Sequence, residues 1–71
     1  MDTKKAKVAP GLSSQMIDAL GGTTEVSRIC GVTTAAVSQW RKKGISRAFA
    51  LYLRERFKNL PIMKTDDVLS L

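Results

Sequence analysis

Between Thr34 and Lys43 the sequence reads TAAVSQWRKK, and the side chains there are suited to recognition rather than to reaction. Thr34 and Ser38 carry hydroxyls, Gln39 a primary amide and Ala35 a methyl group. Thr34 and Ala35 lie one turn before Ser38 and Gln39, which places all four on one side of a helix. An amide such as Gln39 can pair bidentately with the edge of adenine, a methyl can pack on that of thymine, and a hydroxyl can donate to or accept from several base edges. Arg41, Lys42, Lys43 and Arg47 put four cations into seven positions with no acid among them. Cations at a helix C-terminus satisfy its dipole. Four exceed what that requires, and contact with phosphates is the reading that uses them. The reading turn holds no arginine, so guanine contacts would have to come from elsewhere, for which Lys42 is the candidate.

Covalent and acid–base chemistry has little to work with. The chain has no histidine and one cysteine, and no pair of carboxylates has a partner suggesting proton transfer, so an enzyme is not expected. The ligand types of a metal site are missing. Gly21-Gly22 lies in no GxGxxG or GxxxxGK context and reads as a helix terminator. No cofactor and no small-molecule ligand are expected. Cys30 cannot form an intramolecular disulfide, and its place on an apolar face reads as a buried thiol rather than a reactive one. Trp40 could stack on an unpaired base, but its register with Val37 puts it on the buried side, locking its helix against the next.

These residues need two short helices to position them. Thr23 is the expected cap of the first, about Thr24 to Cys30, with Glu25 in the dipole-favoured first turn. Val26, Ile29 and Cys30 recur at three and four residues and share one face. Gly31 then breaks the period, as a residue that accepts positive φ without steric cost. Val32 plugs the turn, and Thr33 caps the second helix, about Thr34 to Lys43, with Val37 and Trp40 inward. Thr23 and Thr24 would offer hydroxyls and N–H groups to a phosphate at the positive end of the dipole. Arg28 reads as a solvated charge. The pattern is a helix-turn-helix signal.

The run GVTTAAVSQWRKKGI, with its turn glycine, the β-branched residue after it, Val37 six residues on and Trp40 three beyond, resembles small regulators of the phage Cro and YdaS type. The resemblance covers roughly Ile17 to Leu53; Ser27 stands where such motifs usually carry alanine, and serine is small enough to fit. It implies an all-α domain of four helices like that of Cro and lambda repressor, phage or prophage origin, and a transcriptional repressor that occupies a double-stranded operator as a homodimer. The second of the two motif helices would be the reader, placing Thr34, Ala35, Ser38 and Gln39 at base edges. The phosphate contacts would be Thr23, Thr24, Arg41, Lys42, Lys43 and Arg47. A YdaS-type antitoxin role is the related alternative. A helical protein-interaction or RNA-binding module is the alternative from another class, although such a module would more often expose large apolar side chains on that face.

The bulk properties agree with this size and partner. Seventy-one residues hold one domain, and 44% hydrophobic residues support a core. Twelve Lys and Arg against six Asp and Glu leave +6, a balance that suits a polyanion as well as a merely positive surface. No stretch approaches the ~20 apolar residues of a membrane span, and no signal-peptide core opens the chain. A cytoplasmic location and no membrane partner are expected.

Residues 1–12, with Lys4, Lys5, Lys7 and Pro10-Gly11, read as a flexible basic arm that follows the phosphates, reaches into a groove, or is an untethered terminus. The folded domain is then 13–60. Its first helix runs from a cap at Ser13 or Ser14 to about Leu20, with Met16, Ile17 and Leu20 inward. Ile45 plugs the next loop, and Ser46 caps a last helix from about Arg47 to Lys58. Its apolar residues are too many for one stripe. Either it is central to the bundle, or an edge of Phe49, Leu53 and Phe57 meets a second subunit. Arg54, Glu55, Arg56 and Lys58 read as solvated. The tail 61–71 is open between a strand paired with its copy, a short helix capped by Thr65, and a free end.

Overall fold

Helix α1, Pro10–Ala19, begins at a proline, whose missing N–H costs nothing in a first helical turn. In this computed structural model, which describes residues 7–71, four further helices follow: α2 Thr23–Cys30, α3 Thr34–Lys43, α4 Arg47–Arg56 and α5 Asp66–Leu69, with a 3₁₀ turn at Pro61–Lys64 before the last. The protein is a small all-α domain, and the described residues contain no strand. None of these helices is long and apolar enough to cross a membrane.

The proline start corrects the expected cap. Ser13 is a fully buried residue within α1, not its N-cap. Its hydroxyl donates to the Val8 carbonyl at 3.1 Å and accepts from the Ile45 N–H at 2.9 Å. A serine inside a helix is tolerated here because both sides of its hydroxyl are satisfied in the core. Met16 and Ile17 continue the same face, both fully buried, with Leu20 just beyond the helix end.

The boundary of the body moves too. Residues 1–6 of the expected arm lie outside the described residues. From Lys7 onward the chain is part of the fold: Lys7 pairs with Ser46 in an isolated antiparallel bridge, the Val8 N–H donates to the Ile45 carbonyl at 2.9 Å, and Val8 is buried. An apolar residue beside a core hydroxyl has burial to gain that an arm could not offer.

Gly21 and Gly22, both at positive φ (113° and 101°), turn the chain into α2. The N-cap position is Gly22, so Thr23 is the first helical residue and caps nothing. Val26 is fully buried and Ser27 nearly so; the Ser27 hydroxyl donates to the Thr24 carbonyl at 2.7 Å, which is how serine fits the inner face. Gly31 adopts the left-handed conformation (φ 69°, ψ 33°), and its N–H donates to Ser27. The Thr33 hydroxyl then accepts from the Ala36 N–H at 3.1 Å and caps α3, as expected.

The core gathers Val8, Met16, Ile17, Val26, Val37, Ile45, Ala50, Leu53, Met63, Val68 and Leu71. Ala50 and Leu53 are buried in the protein's own interior, while Phe49 and Phe57 are half-buried against the core. The bundle centres on the packing of α3 against α1 and α2, and α4 lies beside α5, so the expectation of a central α4 is not met. The helix ends at Arg56, two residues before the expected Lys58. The tail is the short-helix alternative, folded back on the body. Thr65 supplies no side-chain cap: its hydroxyl donates to Ile62 O at 3.2 Å. Arg54 is not simply solvated either, since its Nη1 donates to the Val68 and Leu69 carbonyls at 3.3 and 3.4 Å.

Candidate nucleic-acid interface

The ten residues of α3 divide cleanly between inside and outside. Val37 is fully buried, and Ala36, Trp40 and Arg41 are half-buried. Thr34, Ala35, Ser38, Gln39, Lys42 and Lys43 are all exposed. All four residues expected at base edges therefore lie together on one open stripe, continued toward the C-terminus by two lysines.

Three contacts set the rotation of α3 about its own axis. Val37 anchors the underside. The Trp40 ring meets Phe49 with centroids 5.0 Å apart and planes tilted by 42°, a favourable arrangement for two aromatic quadrupoles, and it joins α3 to α4 as expected. Arg41 holds the other flank: its Nε donates to Thr23 Oγ1 at 3.0 Å, and its Nη2 pairs with Asp18 Oδ1 at 2.7 Å. Gly44, at φ 101°, ends the helix where Val8 crosses close to its α-carbon.

This geometry divides the expected phosphate contacts. Thr24 is exposed at the start of α2, and Lys42 and Lys43 are exposed at the end of α3, with no ion-pair partner among the described residues. Thr23 and Arg41 are spent on each other. Arg47 is turned away toward the tail, donating through Nε and Nη2 to the Leu71 carbonyl at 3.2 and 2.8 Å. A guanidinium has five donors in a planar fork, and these two arginines use theirs to fasten the protein to itself. Arg28, on the outer side of α2, pairs with Glu25 at 3.3 Å across one turn.

One residue near this surface carries no sequence signal. Asp18 finds Arg41 across 23 positions, which no local spacing could reveal. Lys7, read in the sequence as part of the arm, is placed by the bridge to Ser46, and its side chain runs over Gly44.

Cys30 is half-buried rather than buried, and that partial burial pushes its thiol above its ordinary range. Among the described residues no three His, Cys, Asp or Glu side chains gather as metal ligands, and no pocket opens. What the surface offers is a polar, hydrogen-bonding ridge with a cationic end. No protein-family model, no curated protein and no solved structure matches the chain.

Proposed function

We propose that the protein is a sequence-specific double-stranded DNA-binding transcriptional regulator of the Cro-like kind. Helix α3 lies in the major groove as the second member of a helix-turn-helix, and α2 crosses the backbone. Gln39, Ser38, Thr34 and Ala35 meet base edges, while Lys42, Lys43 and Thr24 contact phosphates. The protein acts by occupying an operator as a homodimer, so that each subunit reads one half-site and polymerase is excluded.

The observation that supports this reading most is the open stripe of α3. It is made of small, hydroxyl- and amide-bearing groups and ends in two lysines, and α3 carries no carboxylate. A face of this composition has little apolar area to bury against a protein. It has donors, acceptors and a methyl group of the kinds that base edges pair with.

Selection from a pool of random duplexes tests the reading. The expected winner is a palindrome with half-sites about one helical turn apart. A pool that stays random after several rounds, or preferential capture of structured RNA in a competing arm, would sink it.

A further inference from the structure

Arg41 is a cation at the end of the proposed reading helix, yet it faces the protein rather than the surroundings. Its side chain is 28% exposed, and its two edges reach different helices: Asp18 in the last turn of α1 and Thr23 at the first position of α2. The other ion pairs among the described residues, Arg28–Glu25 and Arg54–Glu55, join near neighbours in sequence. Arg41–Asp18 is the one that ties separate helices. One planar group thus locks α3 against both helices packed beneath it, on the flank opposite Trp40.

We infer that Arg41, with Asp18 and Thr23, is a positioning device for the reading helix rather than a phosphate contact. Val37 fixes how deep α3 sits, but a single buried side chain leaves the helix free to roll. Trp40 on Phe49 limits the roll in one direction, and Arg41 on Asp18 and Thr23 limits it in the other. Lysine could not substitute, because one ammonium on a flexible stem cannot span both acceptors with fixed geometry. The inference rests on the DNA reading above and makes a prediction of opposite sign from simple electrostatics. Asp18 carries the only carboxylate of α1, beside the proposed interface. If charge alone mattered, removing it would favour binding to a polyanion.

The test compares wild type, Asp18→Asn, Arg41→Gln, Arg41→Lys and the double variant Asp18→Asn/Arg41→Gln, at a temperature where circular dichroism shows each fully folded. Affinity is measured by fluorescence anisotropy for the best selected duplex and for an unrelated duplex, across a salt series. The expected result is a loss of roughly fivefold on the selected duplex for each single variant, in keeping with one inter-helix ion pair. Binding to the unrelated duplex and the salt slope stay as in wild type, and the double variant is no worse than either single one. A merely destabilised protein would not lose its sequence preference selectively. Tighter binding by Asp18→Asn, together with a slope reduced by about one in Arg41→Gln, overturns the inference and leaves the DNA reading intact. Hydrogen exchange in the DNA-free protein decides the clamp independently. The amides of Trp40 to Lys43 should exchange faster in Arg41→Gln, and unchanged exchange there overturns the inference whatever the DNA result. If wild type shows no duplex preference at all, the functional reading falls, and faster exchange would then uphold the clamp alone.

Discussion

Ser13 and Ile45 stand 32 positions apart, yet the hydroxyl of the first accepts a 2.9 Å hydrogen bond from the backbone N–H of the second, deep in the core. The same hydroxyl donates to the Val8 carbonyl, so one side chain joins the incoming chain, α1 and the α3–α4 loop. Ser13→Ala should cost about 2 kcal/mol, because it strands a buried N–H and a buried carbonyl together. Urea denaturation measures this directly. A midpoint within experimental error of wild type would mean that neighbouring groups satisfy both atoms without the hydroxyl.

Two glycines at positive φ separate conformational cost from crowding. At Gly31 a β-carbon would meet nothing within 4 Å, so Gly31→Ala should cost about 1 kcal/mol, from the left-handed backbone alone. At Gly44 it would overlap the Val8 carbonyl, and the backbone is strained as well. Gly44→Ala should therefore lose about 3 kcal/mol or more. Equal losses in thermal melts of the two variants would contradict this account of the α3–α4 loop.

If α3 reads DNA, Gln39→Ala should relax the preference at one base position and weaken the best site by about 1–3 kcal/mol. Repeating the selection with the variant shows which position loses its preference. A uniform loss on every duplex would show that Gln39 reads no base.

Lys42 and Arg47 were expected to behave alike, and the structure sets them apart. Lys42→Ala should weaken binding to every duplex and lower the salt slope by about one. Arg47→Ala should leave the slope alone and speed amide exchange at Val68 and Leu71, whose segment it fastens through the Leu71 carbonyl. A flattened slope in Arg47→Ala would return that residue to the phosphate contacts.

Cys30 gives a pH-dependent prediction. Burial raises its folded thiol above the unfolded value, so the neutral thiol is the form that folding favours. The stability this contributes is complete below the unfolded cysteine range and is lost as pH rises through the higher folded value. Alkylation by iodoacetamide should accordingly half-rise at a higher pH in the native protein than in denaturant. Coincident profiles would place the thiol in open solvent.

The α2–Gly31–α3 region was legible because every cue there is local. Hydroxyl, glycine and apolar spacing act within one or two helical turns, and a cap such as Thr33 needs only its own neighbours. The half-and-half division of α3 follows from the same 3.6-residue period. Ser13 was misread for the complementary reason. A serine near a helix start resembles a cap, and only the distant Ile45 N–H makes it a core residue. The contact between Thr23 and Arg41 is illegible in the sequence for the same reason. Charge type announces a cation, but whether it faces outward or finds Asp18 depends on how α1 packs. The tail has too few residues for a period, so its helix was one option among three until Val68, Leu71 and the arginines of α4 were seen to hold it.

That closing segment has a consequence for biosynthesis. Synthesis runs from the N-terminal side, so Ile17, Val26 and Leu53 are made before Met63, Val68 and Leu71, which complete their shared interior. For that interval the growing polypeptide displays an oily surface with no cover. A chain that has not yet made this cover therefore offers apolar surface to chaperones and proteases.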